Sequence, residues 1–417
     1  MTRRWSVLAF LCGIFVIYTV DRALLGLLAD PILKLPGMTK VRFGLLGSVI
    51  FWTYAAAVPF AGLAGDRFSR ARLIGFAAFT WSAMTFLAGF AGGFWSLLVL
   101  VSFAIVVPQT LYSPSANALI ASHHDKTRTI AMSCHQAAFY TGWFVSGAAV
   151  AGIVALFGTW RAVFFVCGGV GMAMSLAFLA FAGRSEKSAK PSPSDAIEQS
   201  NNQNNRTIRQ SLRAYFGCKS ALLTSVGYVV EVFVSSGYCV WGPKFVMSKF
   251  EISAGAAGTG VMFWHYAAAF GAILGAGFLT DAFVRRWPRF RLMLSLAATV
   301  GTIPALLLFG LGDSLPLVWT GAALLGAMLG VIGANQFTNL FDVIPSDYRS
   351  GSIGFLNVIA GLCGGLSPVL LGWLSETGGL RGFERGFCLF AAVQVLAIAA
   401  LATSVLFTFR KDRLIES

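Results

Sequence analysis

Gly62-Leu63-Ala64-Gly65-Asp66-Arg67-Phe68-Ser69-Arg70-Ala71-Arg72 closes one long apolar stretch of the chain, and Gly277-Phe278-Leu279-Thr280-Asp281-Ala282-Phe283-Val284-Arg285-Arg286 closes another. In both, glycine stands four residues before the aspartate and arginine four after it. The two aspartates lie 215 residues apart, about half of the 417-residue chain. Such self-similarity at half the chain length marks two related halves, each a bundle of membrane helices.

Composition leads to the same class. Hydrophobic residues make up 57% and charged residues 12%, with a mean hydropathy of +0.74, whereas a soluble domain carries about 25% charged residues. No water-soluble surface can be built from this. Apolar stretches of about 20 residues, the length that crosses a bilayer as a helix, begin near Trp5, Phe43, Leu73, Trp95, Thr129, Arg161, Ala221, Ala256, Leu292, Leu315, Gly351 and Phe387. The expected fold is therefore all-α and integral to the membrane, with twelve transmembrane helices in two six-helix bundles. These cover residues 1–182 and 219–417, joined by a cytoplasmic linker over 183–218.

With twelve crossings both termini share one side. Of the 31 Lys and Arg, 22 fall in the loops on that side, eight in the opposite loops, and one, Arg22, inside a span. Basic residues collect on the cytoplasmic face, so the termini are expected there, in a bacterial inner membrane. The same bias accounts for the net charge of +14: arginines at helix ends lie beside anionic lipid, and nucleic acid is not a partner. The Arg-led first stretch is too long for the apolar core of a signal peptide and is expected to stay as the first membrane helix.

Within the linker, Pro191-Ser192-Pro193-Ser194 and Asn201-Asn202-Gln203-Asn204-Asn205 cannot bury a core. Its end differs, because Ile208, Leu212 and Phe216 recur every four residues among Arg206, Arg209 and Arg213. That pattern suits a short helix on the membrane surface, with an unstructured tail of the loop as the alternative. The seven cysteines show no CxxC or Cys/His spacing and read as small core residues. Neither a nucleotide-binding P-loop, a metal-ligand cluster nor a catalytic Ser/His/Asp arrangement occurs, so no cofactor, metal or enzymatic activity is expected.

The duplicated Gly-x-x-x-Asp-Arg-x-x-Arg pattern, the weaker copy with Ala282 in the basic position, and the long loop after the sixth span resemble the major facilitator superfamily over essentially the whole chain. Ser69 stands where that family usually has glycine. The resemblance implies a gate of Asp66, Arg67, Arg70, Asp281 and Arg285 at the cytoplasmic helix ends, a charge network that balances two states. Tyr18-Thr19-Val20-Asp21-Arg22 resembles the anion:cation symporter group and the related spinster-like group, as do Leu111-Tyr112-Ser113-Pro114-Ser115-Ala116-Asn117 and Phe341-Asp342-Val343-Ile344-Pro345-Ser346-Asp347-Tyr348-Arg349. In these groups Asp21 is implied to take up the coupling proton and Arg22 to hold an anionic substrate. An adjacent acid and base in an apolar helix is costly unless paired or hydrated; the alternative to function is a structural ion pair. The groups commonly carry Arg and, seven residues later, Glu in span four, where this chain has Ser102 and Gln109. Gln109 can hydrogen-bond a substrate but carries no proton; packing is its other reading.

In the second half Glu231 lies deep in an apolar run with Tyr238 seven residues on, two turns along the same face. It is a second candidate proton site or substrate contact, with a structural hydrogen bond as the alternative. His135 and His265 are also intramembrane and can shuttle protons or serve packing. Asn335, Gln336, Asn339 and Asn357 are candidate cavity lining or helix glue. Tyr18 and Tyr112, with Arg22, Gln109, Tyr238, Asn335 and Asn339, make up the expected substrate-binding set. Gly142, Gly147 and Gly152 in span five, with Gly361, Gly364, Gly365 and Pro368 in span eleven, are expected to allow close helix approach and bending.

These readings predict a monomeric secondary transporter coupling protons to a small organic anion by alternating access. A spinster-like lysolipid or amphiphile carrier is the alternative within transport. A non-transporting membrane sensor is the alternative outside it.

Overall fold

A computed structural model describes residues 3–67, 69–124, 127–182, 208–284 and 286–414, with no strand among them. The helices in chain order are α1 (Arg3–Leu27), the short α2 (Ala29–Leu33), α3 (Lys40–Arg67), α4 (Arg70–Ala88), α5 (Phe94–Leu97), α6 (Val106–His123), α7 (Arg128–Phe157) and α8 (Arg161–Ala182). After the linker come α9 (Ile208–Gly217), α10 (Lys219–Phe250), α11 (Ala254–Phe283), α12 (Phe290–Leu311), α13 (Leu315–Phe341), α14 (Arg349–Gly364), α15 (Leu366–Thr403) and α16 (Phe409–Asp412). A π-helical turn, Leu98–Ala104, joins α5 to α6.

Local chemistry sets several of these boundaries. Ser69 accepts a hydrogen bond from the Arg72 amide at 3.4 Å, capping the first turn of α4. Gly158 closes α7 in the left-handed region at φ 69°, where glycine carries no Cβ penalty.

Among the described residues, eleven helical stretches are long and apolar enough to cross a membrane. The last, Gly351–Asp412, is 62 residues long, and at 1.5 Å per residue a straight helix of that length would be about three times the ~30 Å hydrocarbon core. It breaks at Gly379 (φ 59°, ψ −132°), a conformation that L residues rarely adopt. Counting the two sides of that break gives the twelve crossings expected from the apolar runs. Large apolar side chains such as Leu156, Phe278, Trp95 and Phe407 are exposed, as they must be on helices whose solvent is lipid. The chain is an integral, multi-pass membrane protein.

By packing, the chain forms two compact units. The first comprises Met1–Ala189, Ser236–Phe263 and Gly365–Phe383. The second comprises Lys190–Ser235, Trp264–Gly364 and Glu384–Ser417. The end of α10 from Ser236, the start of α11 up to Phe263 and the segment that starts α15 thus pack with the helices of the first sequence half.

In the first unit Trp81 and Tyr112 are fully buried and meet edge to face at 5.8 Å. A Cβ on Gly142 would lie 1.7 Å from Thr19 Oγ1, so only glycine lets α7 lie this close to α1. Gly147 is similarly tight against Thr259, but nothing lies within 4 Å of where a Cβ on Gly152 would be. The expected close approach therefore holds at two of those three glycines. Cys134 is exposed, which corrects its reading as a core residue.

The second unit has its own core, with Leu292, Ile344, Leu356, Leu401 and Phe409 around Tyr215 of α9. Tyr215 donates to Ser225 Oγ at 2.6 Å, and its ring meets Phe355 at 5.7 Å. The segment that the 208–216 periodicity picks out is thus a helix, pinned by one buried tyrosine. Arg291 and Asp342 form an ion pair at 2.6 Å, and the Leu414 amide donates to the Asp342 carbonyl at 2.9 Å.

Candidate functional site

The polar residues of α1 do not pair with each other. Consecutive side chains on a helix point about 100° apart, and the neighbouring helices use that divergence. Asp21 is 9% exposed, and its Oδ2 accepts from Thr85 Oγ1 of α4 at 3.3 Å. Its other oxygen is buried without a hydrogen-bond partner among the described residues. Arg22 turns to α6 and donates from Nε to Gln109 Oε1 at 3.2 Å. Its guanidinium carbon lies 4.6 Å from the Tyr54 ring centre and 5.1 Å from that of Tyr18, both within cation–π range. Nη2 of Arg22 and Nε2 of Gln109 are buried with no acceptor among the described residues. The ion-pair alternative for Asp21 and Arg22 is thereby removed.

Behind this pair the aromatic wall is tied down. Tyr112 donates its hydroxyl proton to the Leu11 carbonyl at 2.7 Å, so the contact to His135 Nε2 at 3.0 Å must be one in which the imidazole donates. His135 also stacks on Phe15 at 4.4 Å. These contacts are those of a packed, satisfied histidine. Ser102, inside the π-helical stretch, donates to the Leu46 carbonyl of α3 at 3.0 Å and is fully buried. Tyr238 of α10 is fully buried in the same unit.

The remaining substrate and proton candidates belong to the second unit. Glu231 on α10 is half-buried, with Oε2 enclosed and lacking a partner among the described residues. Asn335 accepts from Thr280 of α11 at 3.0 Å, and Asn339 donates to Ser295 of α12 at 3.0 Å. Both amides are buried, and these bonds join α13 to its neighbours as helix glue does. Tyr228 donates to Asn357 at 2.9 Å. His265 is buried, its ring 4.7 Å from that of Tyr266. Of the gate residues, the side chains of Asp66 and Arg67 and the whole of Arg285 lie outside the described residues. Arg70 is half-buried at the start of α4, and Asp281 is exposed near the end of α11.

Sequence reasoning missed Tyr54 and Thr85, which reach the site from α3 and α4 and belong to no motif. It also missed a polar seam at the end of the first unit remote from Arg4. There Asp30 bridges Lys34 at 2.8 Å and Lys244 of α10 at 2.7 Å. Lys40 donates to the Ser375 carbonyl at 2.9 Å, and the Val41 amide at the start of α3 donates to Glu376 at 2.8 Å. Trp241 donates to the Pro368 carbonyl at 2.8 Å. Burial alone would push the Asp30 carboxyl up, but the hydrogen bonds from Lys244 and then Lys34 outweigh it and hold the group below the ordinary carboxylate range.

Known proteins share this architecture. The probable 4-methylmuconolactone transporter of Cupriavidus pinatubonensis is 25% identical over 366 residues, covering 85% of this chain and 80% of that protein. Protein spinster homolog 1 of Homo sapiens is 27% identical over 249 residues, which is 58% of this chain and 45% of that one. The crystal structure of a bacterial homologue of the human lysosomal transporter spinster, inward-facing and unoccupied, superimposes with a TM-score of 0.82 at 20% identity over the whole of both chains. The profile of the Major Facilitator Superfamily matches residues 10–368. Twelve crossings, the repeated Gly-x-x-x-Asp-x-x-x-Arg motif and that match establish that this chain belongs to the Major Facilitator Superfamily.

Proposed function

We propose that the protein is a proton-coupled symporter that carries a small organic anion by alternating access, with its termini in the cytoplasm of a bacterial cell. One observation carries the reading: Arg22, inside a membrane helix, faces a neutral amide and two phenol rings, and no described carboxylate pairs with it. An uncompensated guanidinium in an apolar segment calls for a counter-charge, and a transported anion supplies one. Several similar proteins are named for organic-anion transport, the 4-methylmuconolactone transporter among them.

Asp21 is the first candidate for the coupling proton, since one carboxyl oxygen is already engaged by Thr85 and the other is left free. Glu231 is the second. The division of charge between loops favours cytoplasmic termini. Acting as a monomer, the protein would rock its helices around the bound anion. The single cation Arg22 set against the rings of Tyr18 and Tyr54 favours a second reading, a lysolipid or other amphiphile held by one headgroup.

The test is uptake into proteoliposomes of labelled organic acids, sugar acids and a lysolipid, with and without an inward proton gradient. Gradient-stimulated uptake of an acid supports symport. Uptake of the lysolipid alone supports the second reading, and uptake indifferent to pH and membrane potential refutes proton coupling.

A further inference from the structure

Gln109 bears on what kind of anion the protein takes. It is 1% exposed, and its carboxamide has one orientation open to it. Arg22 offers only donors, so the oxygen of Gln109 must face Nε, as it does at 3.2 Å, and the amide nitrogen must face elsewhere. That nitrogen is buried and meets no acceptor among the described residues, and neither does Nη2 of Arg22. Two enclosed donors without acceptors among the described residues, on side chains already bonded to each other, each carry an uncompensated desolvation cost until an acceptor arrives. A carboxylate is the small group that brings two acceptor oxygens and one negative charge together.

We infer that Arg22 and Gln109 form a two-donor clamp for one carboxylate group, and that the substrate binds through this single negative charge. The inference rests on the organic-anion reading above and adds the charge count. The clamp carries one positive charge, and its immediate neighbours Tyr18 and Tyr54 are neutral rings. Asp21 is turned toward Thr85. Lys244, also of the first unit, is committed to Asp30. A second carboxylate on the substrate would therefore meet no free cation among the described side chains around the clamp. Ser102, on the helical segment leading to Gln109, spends its hydroxyl on a backbone carbonyl and adds no charge.

The experiment measures equilibrium binding to the purified full-length protein in nanodiscs. Its probes are three monocarboxylates (4-methylmuconolactone, benzoate and glucuronate), their carboxamides, and two dicarboxylates (cis,cis-muconate and glucarate). In the wild-type protein at least one monocarboxylate is expected to bind tenfold or more tightly than its carboxamide and than either dicarboxylate. Gln109→Leu should weaken that monocarboxylate about tenfold, and Gln109→Glu a hundredfold or more, because the new carboxylate takes the guanidinium for itself. Gln109→Met replaces the leucine variant if the latter does not fold. Unchanged affinity in the leucine or methionine variant overturns the clamp while leaving the anion reading standing. A preference for a dicarboxylate overturns the single-charge assignment alone. Equal binding of acids and amides, or no binding of any acid, overturns both the clamp and the anion reading.

Discussion

Arg22 of α1 and Gln109 of α6 are joined from Nε to Oε1 at 3.2 Å, while Asp21, the residue before Arg22, is held by Thr85 of α4. Two adjacent charges that the sequence sets side by side are thus assigned to different helices. The base faces an amide that can never compete for its proton, and the acid faces a hydroxyl that leaves one oxygen free. Anion binding and proton carriage can then be perturbed separately, which makes the proposed mechanism accessible to single substitutions.

Arg22→Lys is expected to weaken anion binding at least tenfold. A lysine ammonium is a point charge without the planar fork, and it loses the stacking between Tyr18 and Tyr54 that positions the guanidinium. Binding measured beside counterflow in proteoliposomes reads this directly. Wild-type affinity in the lysine variant contradicts the assignment of Arg22 to the anion.

Asp21→Asn should keep the hydrogen bond to Thr85 and abolish the response of uptake to a proton gradient. Downhill counterflow, which moves no net proton, should persist at a measurable rate. The same pair of assays on Glu231→Gln decides which acid carries the proton. If both variants still accumulate substrate against its gradient, neither carboxyl is the coupling group.

The Asp30 bridge predicts a pH signature in stability. A carboxyl held below its ordinary value contributes stability that is fully present above the unfolded pKa of about 3.9 and is lost as pH falls through the folded value. Asp30→Asn should therefore lower the melting temperature by a constant amount between pH 5 and pH 8, with the difference shrinking as the pH falls below about 3.9. The cost is small, on the order of 1 kcal/mol or less, because Lys34 is largely exposed and Asp30 partly so. Thermal unfolding across that pH series is the measurement. A difference that already shrinks between pH 8 and pH 5 would show that the bridge opens under mild acid.

Gly142→Val and Gly152→Ala form a matched pair. At position 142 the added carbon collides with Thr19, and forcing α7 from α1 is expected to cost about 1–3 kcal/mol. At position 152 the space is open, and the change should be neutral within about 0.5 kcal/mol. Equal melting temperatures for the two variants contradict the packing of α7 on α1.

The sequence by itself determined the class, the number of crossings and the repeat. A helix in lipid must satisfy its own backbone hydrogen bonds and needs a fixed length of apolar side chains, and both conditions are local. The Gly62–Arg72 motif and its copy at Gly277 were legible for the same reason, as was the periodic Ile208–Phe216 segment. Asp21, Arg22 and Glu231 stood out because a charge in an apolar run is costly wherever it folds.

Only the tertiary structure decided what those charges face. Nothing near Arg22 in sequence indicates that Gln109, 87 residues on, is its partner, or that Tyr54 covers it. Thr85 reaches Asp21 across 64 residues. The seam at Asp30, Lys244, Lys40 and Glu376 joins residues more than 200 or 300 positions apart. Their side-chain types occur at many helix ends, so no local pattern distinguishes them. Asn335 and Asn339, which sequence could place equally in a cavity or between helices, proved to bond neighbouring helices. Which face a polar side chain presents follows from helix packing at 8–10 Å, and that packing is a property of the whole bundle rather than of any one span.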